Sequence, residues 1–225
     1  MDESFFETLQ LTFEVSLTAT CILFAISIPL AYYLAYAKSK FKHIIETLVS
    51  MPLVLPPSVL GFYLLIVYSP NHFPGSFLRD YLGIQLAFSF PGIVIGSILF
   101  SLPFMASPIQ AAFESLPVSL KEASYSLGKS GFYTLRRVLL PNIKTSLIKA
   151  IVLTFAHTIG EFGVVLMIGG NIPGKTRVAS IAIYDEVQAL NFTTAHQYAL
   201  TLFVITFAIL LVVHILNRKT NKHIL

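Results

Sequence analysis

Five long apolar stretches constrain this chain more than any other feature of its sequence. A helix needs about 20 consecutive apolar residues to cross the hydrocarbon core of a bilayer. Stretches near or above that length occur at residues 11–37, 44–68, 86–107, 146–170 and 198–216. The composition agrees, because 55% of the 225 residues are hydrophobic and only 12% are charged, whereas soluble domains carry about 25% charged residues. We therefore predict an all-α integral membrane protein with five transmembrane helices in a single domain.

Lysine and arginine lie mainly on alternate loops between these stretches. One side holds twelve of them: Lys38, Lys40, Lys42, Lys121, Lys129, Arg136, Arg137, Lys144, Lys149, Arg218, Lys219 and Lys222. The other side holds only Arg79, Lys175 and Arg177, and the amino-terminal segment there is acidic. Because cytoplasmic loops collect Lys and Arg, we predict that the amino terminus lies outside and the carboxyl terminus inside. Nucleic-acid binding is not expected, because the basic residues do not cluster with aromatic residues on a soluble face.

Three prolines interrupt the second stretch. Pro52, Pro56 and Pro57 lie within six residues of one another. Each removes a backbone donor and breaks the regular helix, and inside a membrane the freed carbonyl groups need protein or water partners. Two interpretations are open at this point: a packed kink, or a bent helix beside a moving pore.

The fourth stretch carries polar residues at helical spacing. On one continuous helix, Thr154, His157, Thr158 and Glu161 share a face, and Gly163 falls on the opposite, small-residue face. An ionisable residue at the bilayer centre costs at least about 2.5–3.5 kcal/mol, so Glu161 is expected to face protein or water. It is either a buried structural acid, bonded to His157 one turn earlier, or a pathway residue. We assign Thr154, Thr158, Glu161 and Gly163 to the translocation pathway or its gate.

The long inside loop, residues 108–145, is amphipathic. Pro117 suits a helix start and Gly128 suits a helix stop. A second short segment, 132–140, is predicted to end at Pro141. Two short helices at the cytoplasmic surface would form a docking element for a soluble partner.

This loop resembles the "EAA" loop of ABC importer permeases. Glu122 and Ala123 open the motif, Gly128 follows at the family's spacing, and Pro141 closes the second part. Ser124 replaces the family's second alanine, and Val138 replaces an isoleucine. The resemblance implies that residues 122–128 form a coupling helix, which docks in a groove on a separate ATPase subunit. It also implies a multi-pass protein of the bacterial inner (cytoplasmic) membrane, in contact with lipid.

Three further stretches are similar to the molybdate branch of these permeases, which is close to the sulfate branch. They are the proline-rich segment 52–61, the Gly-Glu-Phe-Gly sequence at 160–163 and the segment 171–177. The resemblance implies two copies of this chain around a pore, two ATPase subunits and an external substrate-binding protein. The expected substrate is molybdate, with tungstate or sulfate as alternatives. Because molybdate is a dianion, a charged Glu161 lining the pore would repel it, so Glu161 should be paired, protonated or placed beside the pore.

Two other classes of protein fit the sequence less well. A stand-alone secondary transporter or channel often shows inverted repeats, and the sequence shows no internal repeat. A membrane enzyme would need a catalytic or metal cluster, but His157 and Glu161 alone offer two ligands, and a stable zinc site usually takes at least three. No Walker A pattern is present. We therefore predict a transport subunit with no catalytic residue, no metal and no cofactor of its own.

Overall fold

The structure, a computed structural model, describes residues 3–221. No β-strand occurs in this range. A 3₁₀ turn, Met51–Leu53, and a π-helical turn, Leu135–Leu139, lie between helices. The α-helices are α1 Glu3–Tyr36, α2 Phe41–Ser50, α3 Pro57–Tyr68, α4 Gly75–Leu82, α5 Phe90–Glu114, α6 Val118–Ser126, α7 Gly131–Thr134, α8 Leu140–Asn142, α9 Lys144–Ile159, α10 Gly163–Gly169, α11 Ala179–Gln188 and α12 Phe192–Asn221.

The number of membrane crossings depends on how bent helices are counted. Within the described residues, α1, α5 and the Phe192–Val213 part of α12 are each long and apolar enough to cross a bilayer. Two bent pairs raise the number to five if each pair is one crossing. The all-α membrane architecture is thus confirmed, whereas five crossings and the orientation stay predictions. Lys222, which entered the charge balance, lies outside the described residues.

The second apolar stretch does not form one straight helix. The chain turns by 112° between Phe41–Leu53 and Pro57–Tyr68. Pro52 lies in the 3₁₀ turn, Pro56 precedes α3 and Pro57 is its first residue. Proline has no N–H and a fixed φ, so it suits the first turn of a helix and disrupts a helix interior. The three prolines therefore lie where the helix is interrupted.

The third apolar stretch forms a longer helix than expected. We predicted an end at residue 107, but α5 continues to Glu114 and contains Pro103 and Pro108. The loop that follows is correspondingly shorter. Ile109 and Phe113 are fully buried beyond the predicted end, and each buried large side chain contributes about 1.5–3 kcal/mol. This last part of α5 packs with Leu23 and Ala31 of α1 in an apolar cluster.

The fourth apolar stretch also differs from the expectation of one helix over 146–170. Helix α9 ends at Ile159 and α10 begins at Gly163, so residues 160–162 are not helical. Glu161 therefore lies beyond the end of α9 and does not share a helical face with Thr154 and Thr158. A second bend, of 78°, separates Gly131–Asn142 from α9.

Two apolar clusters form most of the core. The long helices α1 and α5 contribute to both clusters, and the long helix α9 contributes to the second only. Helix α1 packs along α5, and α5 packs along α9. Residues of α3, α10 and α11 join the first cluster, which includes Leu64, Ile93 and Ile168. The second cluster includes Leu23 and Phe113, together with residues of the π turn. Between the two clusters the three long helices carry polar side chains.

Candidate functional site

A polar belt separates the two apolar clusters. It consists of buried side chains on three helices and the break after α9: Ser16, Thr20, Ser97, Ser101, Thr154, Thr158 and Glu161. Along α5, for example, Ile93 belongs to the first cluster, Ser97 and Ser101 to the belt, and Met105 to the second cluster. Buried polar groups cost free energy unless they are hydrogen-bonded. Among the described residues, four side chains of the belt have no hydrogen-bond partner and are therefore costly: Thr20, Ser97, Thr154 and Glu161.

Part of the belt is a chain of hydrogen bonds between α5 and α9. The Thr158 hydroxyl donates to the Thr154 carbonyl at 2.9 Å. Ser101 Oγ lies 3.1 Å from Thr158 Oγ1 and 3.0 Å from His157 Nδ1. Since each hydroxyl has one proton, all three bonds form together when His157 Nδ1–H donates to Ser101 and Ser101 donates to Thr158. His157 also stacks on Phe104, with ring centroids 3.8 Å apart.

Glu161 lies in the non-helical segment between α9 and α10. Its side chain is 5% exposed, and neither carboxylate oxygen has a hydrogen-bond partner among the described residues. The Ser97 hydroxyl approaches it without a hydrogen bond of good geometry. His157, which we considered as its partner, bonds to Ser101 instead. The Glu161–His157 hydrogen bond that we considered is therefore not formed. The Glu161 carboxyl group lies inside the subunit without a partner among the described residues.

The predicted pathway residues do not lie together on one surface. Thr154 and Thr158 are buried, with Thr158 bonded to Ser101 of α5, and Glu161 is buried beside Ser97. A pore between two copies would be lined by side chains at the surface of each copy, and these three are not at a surface. Gly163 is partly exposed and begins α10. The pathway assignment of these residues stays a prediction.

The two interrupted helices contact each other at their breaks. A Cβ atom added at Gly163 would lie 2.8 Å from Cβ of Pro57, which begins α3. One turn into α3, a Cβ at Gly61 would lie 2.7 Å from Cβ of Met167. Both distances are shorter than van der Waals contact, so the glycines allow α3 and α10 to approach closely. The structure thus joins Pro57, from the predicted helix break, to Gly163, from the predicted gate.

The predicted docking helix is α6, and it ends in a Schellman motif. Gly128 has φ +69°, a left-handed conformation that glycine adopts without strain. Gly128 N–H donates to the Tyr125 carbonyl, and Lys129 N–H donates to the Ser124 carbonyl. Glu122 and Ala123 are exposed on the same helix. The start after Pro117 and the stop at Gly128 therefore lie where the sequence places them.

The second part of the docking loop differs in one respect. We expected it to end at Pro141, but Pro141 lies inside α8, which continues to Asn142. The preceding π turn, Leu135–Leu139, shifts the hydrogen-bond ladder by one residue, and Leu140 N–H donates to the Leu135 carbonyl. A π turn accommodates a local irregularity within a helix. Pro141 is therefore accommodated without ending the helix.

Several buried hydroxyl groups at the candidate site were not predicted from the sequence. Ser97 and Ser101 lie in an apolar stretch, where single serines are no signal of a polar site. Ser124, the departure from the alanine of the motif, is buried and lies 2.8 Å from Thr134 Oγ1, so it ties α6 to α7. The spacing of buried hydroxyls along α1, at Thr8, Thr12, Ser16 and Thr20, is four residues and could have been recognised.

Residues 171–177 form a hydrogen-bonded turn before α11. The Thr176 hydroxyl donates to the Gly169 carbonyl at 2.7 Å and accepts from Ile172 N–H at 3.2 Å. Arg177 makes ion pairs with Asp185 and Glu186 at 3.2 and 3.1 Å. These contacts stabilise the turn. Among the described residues, no group of three or more His, Cys, Asp or Glu side chains could hold a metal ion.

Comparison with known families identifies the chain. A family described as "Binding-protein-dependent transport system inner membrane component" matches residues 27–222. The chain belongs to this family. It is therefore a multi-pass inner membrane component of a transport system that uses a binding protein, and its place in the family is that of a transport subunit.

Curated relatives of the family cover most of the chain. The molybdenum transport system permease protein ModB of Azotobacter vinelandii is 42% identical over 203 residues, 90% of this chain and 89% of the relative. The probable transport system permease protein NifC of Clostridium pasteurianum is 32% identical, over 98% of this chain and 77% of the relative. The sulfate transport system permease protein CysT of Synechocystis is 29% identical, over 96% of this chain and 75% of the relative.

Solved structures share the fold. A bacterial ABC transporter involved in alginate import aligns with a TM-score of 0.81 at 18% identity, over 97% of this chain and 80% of the other. The MetNI methionine ABC transporter, in inward-facing conformations, aligns with a TM-score of 0.74 at 18% identity, over 97% and 99% of the two chains. The helix arrangement of this chain is thus that of ABC transporter membrane subunits.

Proposed function

We propose that this chain is the membrane-spanning permease subunit of an ATP-driven importer and that its substrate is molybdate. The observation that carries the substrate is the similarity to a molybdenum permease, at 42% identity over 90% of this chain and 89% of the relative. The similarity to a sulfate permease is 29%. Sulfate is therefore the second candidate, and tungstate, a tetrahedral dianion of nearly the same size, is the third.

The docking loop supports an external source of energy. Helix α6 buries only Ser124 and leaves Glu122, Ala123 and Leu127 exposed. Leu127 is 75% exposed beside the end of the helix, and an exposed apolar side chain next to polar ones suits a protein contact. In the proposed assembly an ATPase subunit binds this surface, two copies of the chain enclose the pore, and a binding protein delivers substrate from outside.

The predicted orientation is part of the same proposal. The docking loop is the most basic of the loops on the side that holds twelve of the fifteen Lys and Arg residues. Its basic residues include Lys121, Lys129 and Arg137. A cytoplasmic docking loop has access to ATPase subunits, and positively charged loops stay in the cytoplasm. Five crossings with the amino terminus outside satisfy both conditions.

The polar belt supports a gating role inside each subunit rather than a charged lining of the pore. Glu161 lies 95% buried at the break between α9 and α10, next to the contact of Gly163 with Pro57. Movement of either broken helix would change the surroundings of this carboxylate. Because the Glu161 side chain is not at the subunit surface, it does not line the pore in this conformation.

The test is transport by the whole complex in proteoliposomes. The chain is purified with its ATPase and reconstituted, with ATP inside the vesicles and the binding protein outside. Uptake is measured with radiolabelled molybdate and with radiolabelled sulfate, and tungstate is added as a competitor. We expect ATP-dependent molybdate uptake that excess sulfate does not inhibit. Faster uptake of sulfate than of molybdate would overturn the substrate.

A matched control separates this importer from a secondary transporter. Vesicles receive a non-hydrolysable ATP analogue in place of ATP, and a second set receives ionophores that remove ion gradients. An ATP-driven importer loses uptake only in the first set. Uptake that persists with the analogue and stops with the ionophores would support a stand-alone transporter.

A further inference from the structure

One lysine of the docking helix lies against the end of α1. Lys121 Nζ is 4.0 Å from the ring centroid of Tyr36, 5.2 Å from that of Tyr32 and 5.9 Å from that of Tyr125. Tyr32 and Tyr36 lie in the last two turns of α1, whereas Lys121 and Tyr125 lie in α6. An ammonium within about 6 Å of a ring centroid is attracted by the electrons of the ring face. Lys121 therefore joins the docking helix to a membrane helix.

The tyrosines are fixed in turn to α5. The Tyr36 hydroxyl donates to the Phe113 carbonyl at 3.0 Å. The Phe113 ring, which is fully buried, contacts the rings of Tyr32 and Tyr36 at centroid distances of 5.8 and 6.2 Å. The contact thus links three helices, α1, α5 and α6.

In the described part of the chain, Lys121 forms no salt bridge. Within the described residues, no carboxylate lies within 4.0 Å of its ammonium group, and the residue is only partly exposed. Loss of water around a cation strengthens its attraction to aromatic rings. Lys129 provides a contrast, because its Nζ lies 5.2 Å from the ring of Tyr133 in the same loop and reaches no membrane helix through it.

We propose that Lys121, held by Tyr32 and Tyr36, is a positioning residue that transmits movement of α6 to α1 and α5. We call this contact the lysine–tyrosine clamp. The inference rests on the proposed function, in which an ATPase subunit binds α6. Helix α6 buries a single residue, Ser124, so apolar packing alone holds it weakly. The clamp connects α6 directly to α1 and, through Tyr36 and Phe113, to α5, and these two helices pack together along the bundle.

The test measures coupling rather than activity alone. Lys121→Met keeps most of the side-chain length and removes the charge, and Lys121→Arg restores a cation that binds aromatic faces. Each variant is purified as the complete complex and reconstituted with its binding protein and molybdate. Uptake and ATP hydrolysis are measured in the same vesicles. We expect Lys121→Met to retain the ATPase subunit but to transport about 2- to 30-fold less molybdate per ATP hydrolysed, which is the range for one lost contact of this type. Lys121→Arg should recover the ratio of uptake to ATP hydrolysis.

Changes on the tyrosine side test the same contact. Tyr36→Leu removes the ring and should reproduce the Lys121→Met ratio, and the double variant should lose no more than either single variant. Tyr36→Phe keeps the ring and removes the hydrogen bond to Phe113, so its ratio should stay nearer to that of the unchanged chain. Lys40→Met, at an exposed lysine outside the docking loop, is the control and should leave the ratio unchanged.

The outcomes separate this inference from the proposed function. A wild-type ratio in Lys121→Met would overturn the clamp. Loss of the ATPase subunit from that variant would also overturn it, because Lys121 would then be a docking contact. If the unchanged chain fails to bind an ATPase subunit or to transport molybdate, the proposed function fails, whatever the variants show.

Discussion

Glu161 combines deep burial with the lack of an opposite charge. None of the basic side chains in the described part of the chain lies within ion-pair distance of its carboxylate. Ionisable residues buried within membrane segments are costly and usually serve function. Glu161 lies at the break between α9 and α10, where the backbone is not helical.

The pathway role of Glu161 predicts that Glu161→Gln lowers molybdate uptake. Gln preserves the shape of the side chain but has no ionisable form, so a gating step that uses the carboxylate is lost. We expect a reduction of at least about fivefold, equivalent to about 1 kcal/mol of barrier. Uptake and substrate-stimulated ATP hydrolysis are measured in vesicles, with Glu14→Gln, an exposed acid on α1, as the control. Normal values for Glu161→Gln would mean that the pathway role is wrong.

Gly128 makes a second prediction at the scale of one residue. Its φ of +69° costs other L-residues about 1–2 kcal/mol, and an added Cβ would contact nothing within 4 Å. In Gly128→Ala the end of α6 relaxes out of this conformation when free, and docking must restore it. ATPase binding, measured by titration of the purified ATPase, should therefore weaken about 5- to 30-fold. Asn tolerates this conformation, so Gly128→Asn should bind more tightly than Gly128→Ala.

The control for Gly128 lies three residues further along the loop. Gly131 has an ordinary φ, and an added Cβ would lie 3.6 Å from the Tyr125 hydroxyl. Gly131→Ala should therefore leave ATPase binding unchanged. Equal binding by both alanine variants would show that the end of α6 does not contribute to docking.

Interrupted helices define the architecture at the scale of elements. Helices α3 and α10 are short, with 12 and 7 residues, and they pack against each other and α5. The break before α10 is held by tertiary contacts, since the Ser180 hydroxyl donates to the Glu161 carbonyl and Pro57 lies against Gly163. Without these partners, backbone groups freed at a break inside a membrane would be unsatisfied.

The contact between the breaks predicts a strong effect of one methyl group. Gly163→Ala would place a Cβ 2.8 Å from the rigid ring of Pro57, and overpacking of this kind costs about 1–3 kcal/mol. Gly160→Ala is the control, because its Cβ would meet only carbonyl oxygens at 3.8 Å and beyond. We expect the thermal unfolding midpoint of the purified complex to fall for Gly163→Ala and to stay within error for Gly160→Ala. Equal midpoints would show that α3 and α10 separate readily at this point.

The orientation of the whole molecule can be tested by thiol labelling. Cys21 is the single cysteine, so Cys21→Ser gives a background in which Ser126→Cys or Lys175→Cys is added at an exposed position. Basic loops stay in the cytoplasm. A membrane-impermeant maleimide should therefore label Lys175→Cys in intact cells and Ser126→Cys only in inside-out vesicles. Labelling of both positions from the same side would contradict a single crossing between α6 and α11.

Much of the architecture could be predicted because bilayer physics acts on single stretches of sequence. The length of an apolar run decides whether it can cross, which gave the all-α membrane fold. Pro117 and Gly128 act on their own backbone, so the ends of α6 could also be placed. The end of α5 was missed because Ile109 and Phe113 continue to pack against neighbouring helices beyond Pro108, which a local rule for proline does not include.

The sequence by itself determined that this chain belongs in a membrane, where its charged loops lie relative to its apolar runs, and to which family its motifs belong. These features follow from composition, spacing and local backbone preferences. Only the tertiary structure decided that Glu161 lies unpaired inside the subunit, that Pro57 meets Gly163, and that Lys121 is held by Tyr32 and Tyr36. Each of these depends on two elements that are distant in the chain, and their approach is set by packing of the whole bundle.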